Sequence, residues 1–318
     1  MVAGIATSGL SSNQLSSPCD MALDSSNTLY ISDFVNNRVQ KWAVDSPNVT
    51  TAAGQASGTG SFTAAYLSGP KGVLVDSNRN IYVSDSGNHR IQFWANGAGN
   101  GTTVAGTGNK KKRVKYCSSK DLLLGTSGTD YNQLHTPHFI SIDSNTNTLY
   151  IADFYNHRVM SYASGASNGT LIIGGQGPGI NNTQLNGPVG IYFDSISNYL
   201  YICNYLSHHI VRWTFGATTW TLVVGTPGVL GSSSTLFSYP NGITLDSMGN
   251  LYVADSGNSR IQFFLAGQTV GTTIAGITLS SGSTSVQLNN PFSVRLDTQL
   301  NLYVADLSNN RIQKFLRY

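Results

Sequence analysis

The groups in this chain able to move a proton or hold a metal ion are few and unevenly placed. Among 318 residues there are six histidines, His89, His135, His138, His157, His208 and His209, fifteen aspartates and no glutamate. Eleven of the aspartates recur at two fixed positions of a repeated unit, which leaves Asp20, Asp45, Asp121 and Asp130 outside the pattern. Two of the histidines, His89 and His157, each stand one residue before an arginine of the same unit. Acid–base catalysis or a three-ligand metal site needs several such groups converging independently of a repeat, and this sequence offers little for either. No histidine has a repeat-independent serine or cysteine to activate, so a nucleophile is not supported. Cys19, Cys117 and Cys203 are odd in number and lack CxxC spacing, which argues against a disulfide framework and a zinc site. No cofactor or metal is expected.

Phosphate contact is the other chemistry that the residue types suggest. The stretch NKKKRVKYCSSKDLLLG, residues 109–125, holds six of the eighteen Lys and Arg residues, and KKRVK within it reads as an import signal or an RNA contact. Runs this short are common by chance. Outside it, twelve basic side chains face fourteen aspartates, a net charge of −2, so a nucleic-acid partner is not expected. Charged residues make up only 10% of the chain while Gly numbers 34, a composition of strands and turns. There is no run of 18 apolar residues, so no membrane span is expected. Met1 leads straight into Val2-Ala3-Gly4-Ile5 without the basic and long apolar segments of a secretory leader. The reading is a cytoplasmic protein, or an extracellular one whose amino terminus is incomplete, and either a monomer or part of a larger chain.

The elements that must position these groups are repeated. LYISDFVNNRVQKW, IYVSDSGNHRIQFW, LYIADFYNHRVMSY, LYICNYLSHHIVRW, LYVADSGNSRIQFF and LYVADLSNNRIQKF are six copies of one unit, each preceded by a P…LD-like element. Their tyrosines, Tyr30, Tyr82, Tyr150, Tyr201, Tyr252 and Tyr303, are spaced 52, 68, 51, 51 and 51 residues apart. In the fifth copy GITLD, LYVAD, RIQFF and TTIAG read as four strands, joined by the turns SMGN and SGNS and by a Gly-containing link. Both faces of these strands are apolar enough to lie between neighbouring units. A fixed period of this length with four short strands per unit is the signature of a propeller.

Segments of the form YVADSGNHRIQ resemble NHL repeats, and the chain resembles an all-β, six-bladed NHL β-propeller with four-stranded blades. The resemblance spans a single domain, 1–318, with repeats near 18–53, 70–106, 137–174, 188–225, 240–276 and 291–318 plus 1–6. The last copy has no fourth strand of its own, and the amino-terminal MVAGI is a fourth strand without a blade. Closure of the ring by that strand is therefore expected. The 68-residue interval exceeds the period by the 17 residues of 109–125. Without them, VAGTGTSGTDYNQLHTP aligns without gaps to residues 2–18, so the basic run is expected to be a foreign insertion in the link between two blades, of the kind an unremoved intron would leave.

Two sets of residues follow for the site. Asp33 and Arg38, Asp85 and Arg90, Asp153 and Arg158, Asp255 and Arg260, and Asp306 and Arg311 flank the turn between second and third strands and are expected to pair structurally. The fourth copy, with Asn204, Ser207 and His209 in those places, is expected to be less firmly held. Recognition is expected where copies diverge: at the turn residues Phe34, Val35, Phe154, Tyr155, Tyr205, Leu206 and Leu307, and near the start of the first strands at Asp20, Lys71, His138, Phe139, Asn241 and Phe292. The aromatics among them are expected either to stand exposed as a docking surface or to fold down onto the Gly/Ser-rich links as local packing. The resemblance implies a non-catalytic scaffold binding a protein or peptide on this face. It also admits the recognition portion of a tripartite-motif-type ubiquitin ligase, an RNA-binding NHL protein, or a six-bladed enzyme resembling amidating lyases or lactonases.

Overall fold

The computed structural model describes residues 1–43, 49–107 and 127–317, with the backbone of 112–114 and 122–124. Six antiparallel blade sheets follow one another along the chain, with a separate two-stranded sheet between the second and the third. Blade one comprises Pro18–Leu23, Leu29–Asp33, Arg38–Trp42 and Val49–Gly54, and blade two Pro70–Val75, Ile81–Asp85, Arg90–Trp94 and Thr102–Ala105. Blade three comprises Pro137–Asp143, Thr148–Asp153, Arg158–Tyr162 and Thr170–Gly174, and blade four Pro188–Asp194, Tyr199–Asn204, His209–Thr214 and Trp220–Gly225. Blade five comprises Pro240–Leu245, Leu251–Asp255, Arg260–Phe264 and Thr272–Gly276, and blade six Pro291–Leu296, Leu302–Asp306 and Arg311–Phe315. The first strands touch one another in a ring, blade six against blade one included, and so surround a central axis. The chain is a six-bladed β-propeller.

The amino terminus closes that ring. The Val2 N–H donates to the Ile312 carbonyl and the Ile312 N–H to the Ala3 carbonyl, both at 2.9 Å. Ala3 is 1% exposed and packs with Leu15, Tyr303 and Ile312. Gly4 has φ +77, and a Cβ there would meet the Asn310 carbonyl oxygen and the Arg311 Cα. Gly54, Gly106, Gly174, Gly225 and Gly276 hold the same place at the ends of the complete fourth strands, so residues 2–4 stand in for the missing strand of blade six.

Apolar side chains fill the spaces between blades. Tyr30 and Val39 of blade one, for example, share a cluster with Val73, Val83 and Trp94 of blade two. After each first strand an aspartate closes a tight turn. Asp76 Oδ1 accepts from the N–H groups of Asn78 and Asn80, and Asp246 and Asp297 repeat the arrangement. Within 109–125, Lys112–Val114 pairs antiparallel with Leu122–Leu124; the rest of the predicted insertion lies outside the described residues.

Candidate functional site

The turns between second and third strands and the links between blades emerge on one face of the ring, and the repeated polar residues tie the two together. Arg38 Nε donates to Asp33 Oδ2 at 2.8 Å, and the corresponding pairs in blades two, three, five and six lie at 2.7–2.8 Å. The other carboxylate oxygen accepts a backbone N–H from the link, that of Ser16, Ser68, His135, Ser238 or Asn289, at 2.6–2.8 Å. The arginine's remaining N–H groups hold link carbonyls: Arg158 donates to those of Thr129, Asp130 and Gln133. Burial pushes the Asp85 carboxyl up to about 6, against the pull of the Arg90 charge and the donors Asn88 and Ser68.

Blade four keeps this network without charge. Asn204 Oδ1 accepts from the Asn186 N–H at 3.1 Å, and its Nδ2 donates to His209 Nε2 at 3.2 Å. His209 Nδ1 then donates to the Ser207 carbonyl at 2.8 Å. Burial lowers the pKa of the His209 imidazole, which suits the neutral form that this arrangement needs.

In five of the six blades the residue before the third strand has a role that the sequence reading missed. Asn37, His89, His157, His208 and Asn310 all have φ between 50 and 59, the left-handed conformation in which asparagine and histidine are enriched. Their side chains cross to the next blade. Nδ1 of His89, His157 and His208 accepts the N–H of Thr136, Gly187 and Tyr239 at 3.0, 3.1 and 3.2 Å. Oδ1 of Asn37 and Asn310 accepts that of Gly69 and Ser17 at 2.8 and 2.9 Å. The acceptor in every case meets the residue just before the proline of the next first strand.

On this scaffold the divergent residues form an aromatic shelf. Val35, Tyr155 and Leu206 are exposed at 54%, 56% and 40%. Phe34, Tyr205 and Leu307 are partly buried. Phe154 takes the packing alternative: it is only 9% exposed, its ring stacked on His138 with centroids 4.4 Å apart and planes within 18°. Successive ring contacts of 4.7–6.3 Å run from His89 through His135, Tyr155, Phe154, Tyr205 and Tyr239 to His208, across blades two to five. His135 and Tyr239 were not singled out from sequence. Tyr239 occupies the position before the proline, where the other copies carry Ser17, Gly69, Thr136, Gly187 and Asn290, so divergence there was the available signal.

Toward the axis, the residue after that proline is Cys19, Lys71, His138, Val189, Asn241 or Phe292. Lys71 Nζ lies 2.7 Å from His138 Nε2 and 5.9 Å from the centroids of Phe34 and Phe154. Burial lowers the Lys71 pKa and, with the Lys71 charge, holds the His138 imidazole well below its ordinary value. Asn241 Nδ2 donates to Ser256 Oγ at 2.7 Å. Cys19 is buried, and desolvation raises its thiol to about 12. Deeper in, Asp20 is fully buried; it accepts from Ser293 Oγ at 2.6 Å and from the Val73 N–H, and pairs with Arg295 at 3.0 Å. The Arg295 guanidinium also lies 5.9 Å from the Phe139 ring, which meets Phe292 at the same spacing. These groups join blades one, three and six beneath the mouth of the channel. Among the described residues, no three His, Cys or Asp side chains are placed to share a metal ion.

A ring of blades whose turns are locked by Asp–Arg pairs and whose face carries unshared residues defines a repeat propeller. The family model for the NHL repeat matches residues 67–93, 134–160 and 237–264. The chain thus carries NHL repeats in blades two, three and five. It is 38% identical over 96 residues to bovine NHL repeat-containing protein 2, covering 30% of this chain and 12% of that one. It is 29% identical over 143 residues to mouse NHL repeat-containing protein 3, covering 41% and 39%. The matched part thus spans well under half the length of these curated relatives. Among solved structures, a Bacteroides thetaiotaomicron protein of unknown function superposes with a TM-score of 0.71 at 18% identity, over 99% of this chain and 74% of that one. A Xanthomonas campestris gluconolactonase gives 0.62 at 15%, over 93% and 84%. A chain of a nidogen/laminin complex gives 0.59 at 16%, over 91% and 93%. Identities this low speak to the fold alone.

Proposed function

We propose that this propeller is a non-catalytic scaffold that binds a protein or peptide on the face carrying the turns between second and third strands. The observation that carries this reading is the aromatic shelf. Large apolar side chains stand in solvent at Val35, Tyr155 and Leu206, beside partly buried Phe34 and Tyr205, where blades two and five carry only Ser-Gly. Rigid aromatics backed by a fixed scaffold are what interface hot spots are made of, each worth about 2 kcal/mol or more in a complex. The Asp–Arg pairs and the cross-blade histidine and asparagine bonds hold the shelf in place, so little ordering cost falls on binding. Propellers of this architecture occur both in the nidogen/laminin complex and in a gluconolactonase, so the fold leaves the choice to the site.

The test is affinity capture with the wild-type chain and with Val35→Ser/Tyr155→Ser/Leu206→Ser. All three positions are exposed, so the melting temperature should stay within about 2 °C of wild type, since surface substitutions away from special features rarely exceed roughly 0.5 kcal/mol. A partner captured by the wild type should be lost at least tenfold. Equal capture by the variant would refute the reading.

A further inference from the structure

The mouth of the channel holds a cation without a counter-ion. Among the described residues Lys71 has no carboxylate within ion-pair distance; its Nζ is met instead by His138 Nε2 at 2.7 Å and by the faces of Phe34 and Phe154. Asp20, the nearby carboxylate, is already engaged by Arg295, Ser293 and the Val73 N–H. A largely buried ammonium between two phenyl rings gains about 0.5–2 kcal/mol from them, which offsets only part of its desolvation.

His138 adds a second, independent excess of donors. An ammonium has three N–H donors and no acceptor, so Nε2 must accept from Lys71 and the ring proton sits on Nδ1. That Nδ1 is buried and has no hydrogen-bond partner, on a residue only 4% exposed. One imidazole thus has a positive charge at its Nε2 and, on the other side of the ring, an unsatisfied N–H. Lys71 is itself not fully buried, and the turn of blade two, Ser86-Gly87-Asn88, carries no bulky side chain, whereas blades one and three place Phe34 and Phe154 beside the ammonium.

We propose that Lys71, backed by His138 and walled by Phe34 and Phe154, is a subsite for the carboxylate of an aromatic or apolar acid, carried either by a peptide's terminus or by an acidic side chain beside an apolar residue. The charge meets Lys71, and the flanking apolar group lies against the phenyl walls. This inference rests on the peptide-docking reading of the same face, and gives that face its chemical selectivity.

The probes are N-acetyl-phenylalanine with a free carboxylate, its uncharged amide, and acetyl-Phe-Asp-Ala amide, titrated into the full chain by calorimetry or NMR. At least one carboxylate probe should bind ten or more times tighter than the amide, and the tighter of the two identifies the source of the carboxylate. Lys71→Met, which keeps most of the stem and removes the charge, should lose that binding at least tenfold, while Lys71→Arg should retain most of it. Melting curves should show all three proteins folded. Equal affinity for acid and amide, unchanged affinity in Lys71→Met, or no binding of either acid at 10 mM (about −2.7 kcal/mol) would overturn the subsite. Leu206→Ser lies on the exposed rim, so it should leave the acid's affinity within twofold while weakening capture of a protein partner; each reading can therefore fail without the other.

Discussion

At the scale of single residues, blade four shows what the Asp–Arg pairs accomplish. Asn204 and His209 reproduce the geometry of the turn with no formal charge, so the essential property is a group that accepts from the link and also binds the start of the third strand. In the charged blades, removing one partner strands the other. Arg158→Ala should cost about 3–5 kcal/mol, because a buried carboxylate is left with fewer partners; chemical denaturation measures it. His209 behaves differently with pH. Its pKa is lowered in the fold, so the unfolded chain takes up a proton first, near the ordinary value of about 6.5. The contribution of neutral His209 is complete above that pH and is lost as pH falls further. His209→Gln should therefore show a smaller fall in melting temperature between pH 7 and pH 5 than the wild type. An equal fall in both would show that His209 is not the titrating group.

At the scale of the element, the unit of stability is the blade with its grip on the next one. In every blade but the fifth, which has Ser259 there, the left-handed residue before the third strand is an asparagine or histidine that supplies an acceptor to the following blade, so those two are interchangeable there while alanine is not. His157→Asn should be close to neutral, and His157→Ala should cost about 1–3 kcal/mol from an unpaired buried N–H and an unfavourable φ. Much of this layer was legible in the sequence: the period, four strands per unit, and turn aspartates falling at strand ends. The second role of His89 and His157 was not, because Nδ1 meets a backbone N–H 47 and 30 residues further along, and no local pattern encodes a contact made through the packing of blades. Sequence left open whether Phe154 is exposed or packed, for a similar reason. Its stacking partner, His138, comes from the first strand of the same blade, beside the Pro137–Asp153 pair, and no local pattern encodes that contact.

At the scale of the whole molecule, closure and the loop face are the two properties on which the account depends. Residues 2–4 complete blade six through two backbone hydrogen bonds and the burial of Ala3. Together these are worth about 3 kcal/mol, so deleting 1–4 should lower the melting temperature by roughly 5 °C or more; an unchanged curve would mean that the ring is held without them. The position of the face was readable from divergence among copies, but the detailed arrangement of its aromatic shelf was not, since Tyr239 and His135 join it only through three-dimensional packing. The central claim is that this face is where a partner docks. Hydrogen exchange of the propeller with and without a captured partner tests it most directly. The account predicts added protection at 34–36, 154–156 and 205–207, with none at the turns of the opposite face around 24–28, 143–148 and 246–250. Protection confined to that opposite face, or to the outer strands, would contradict it.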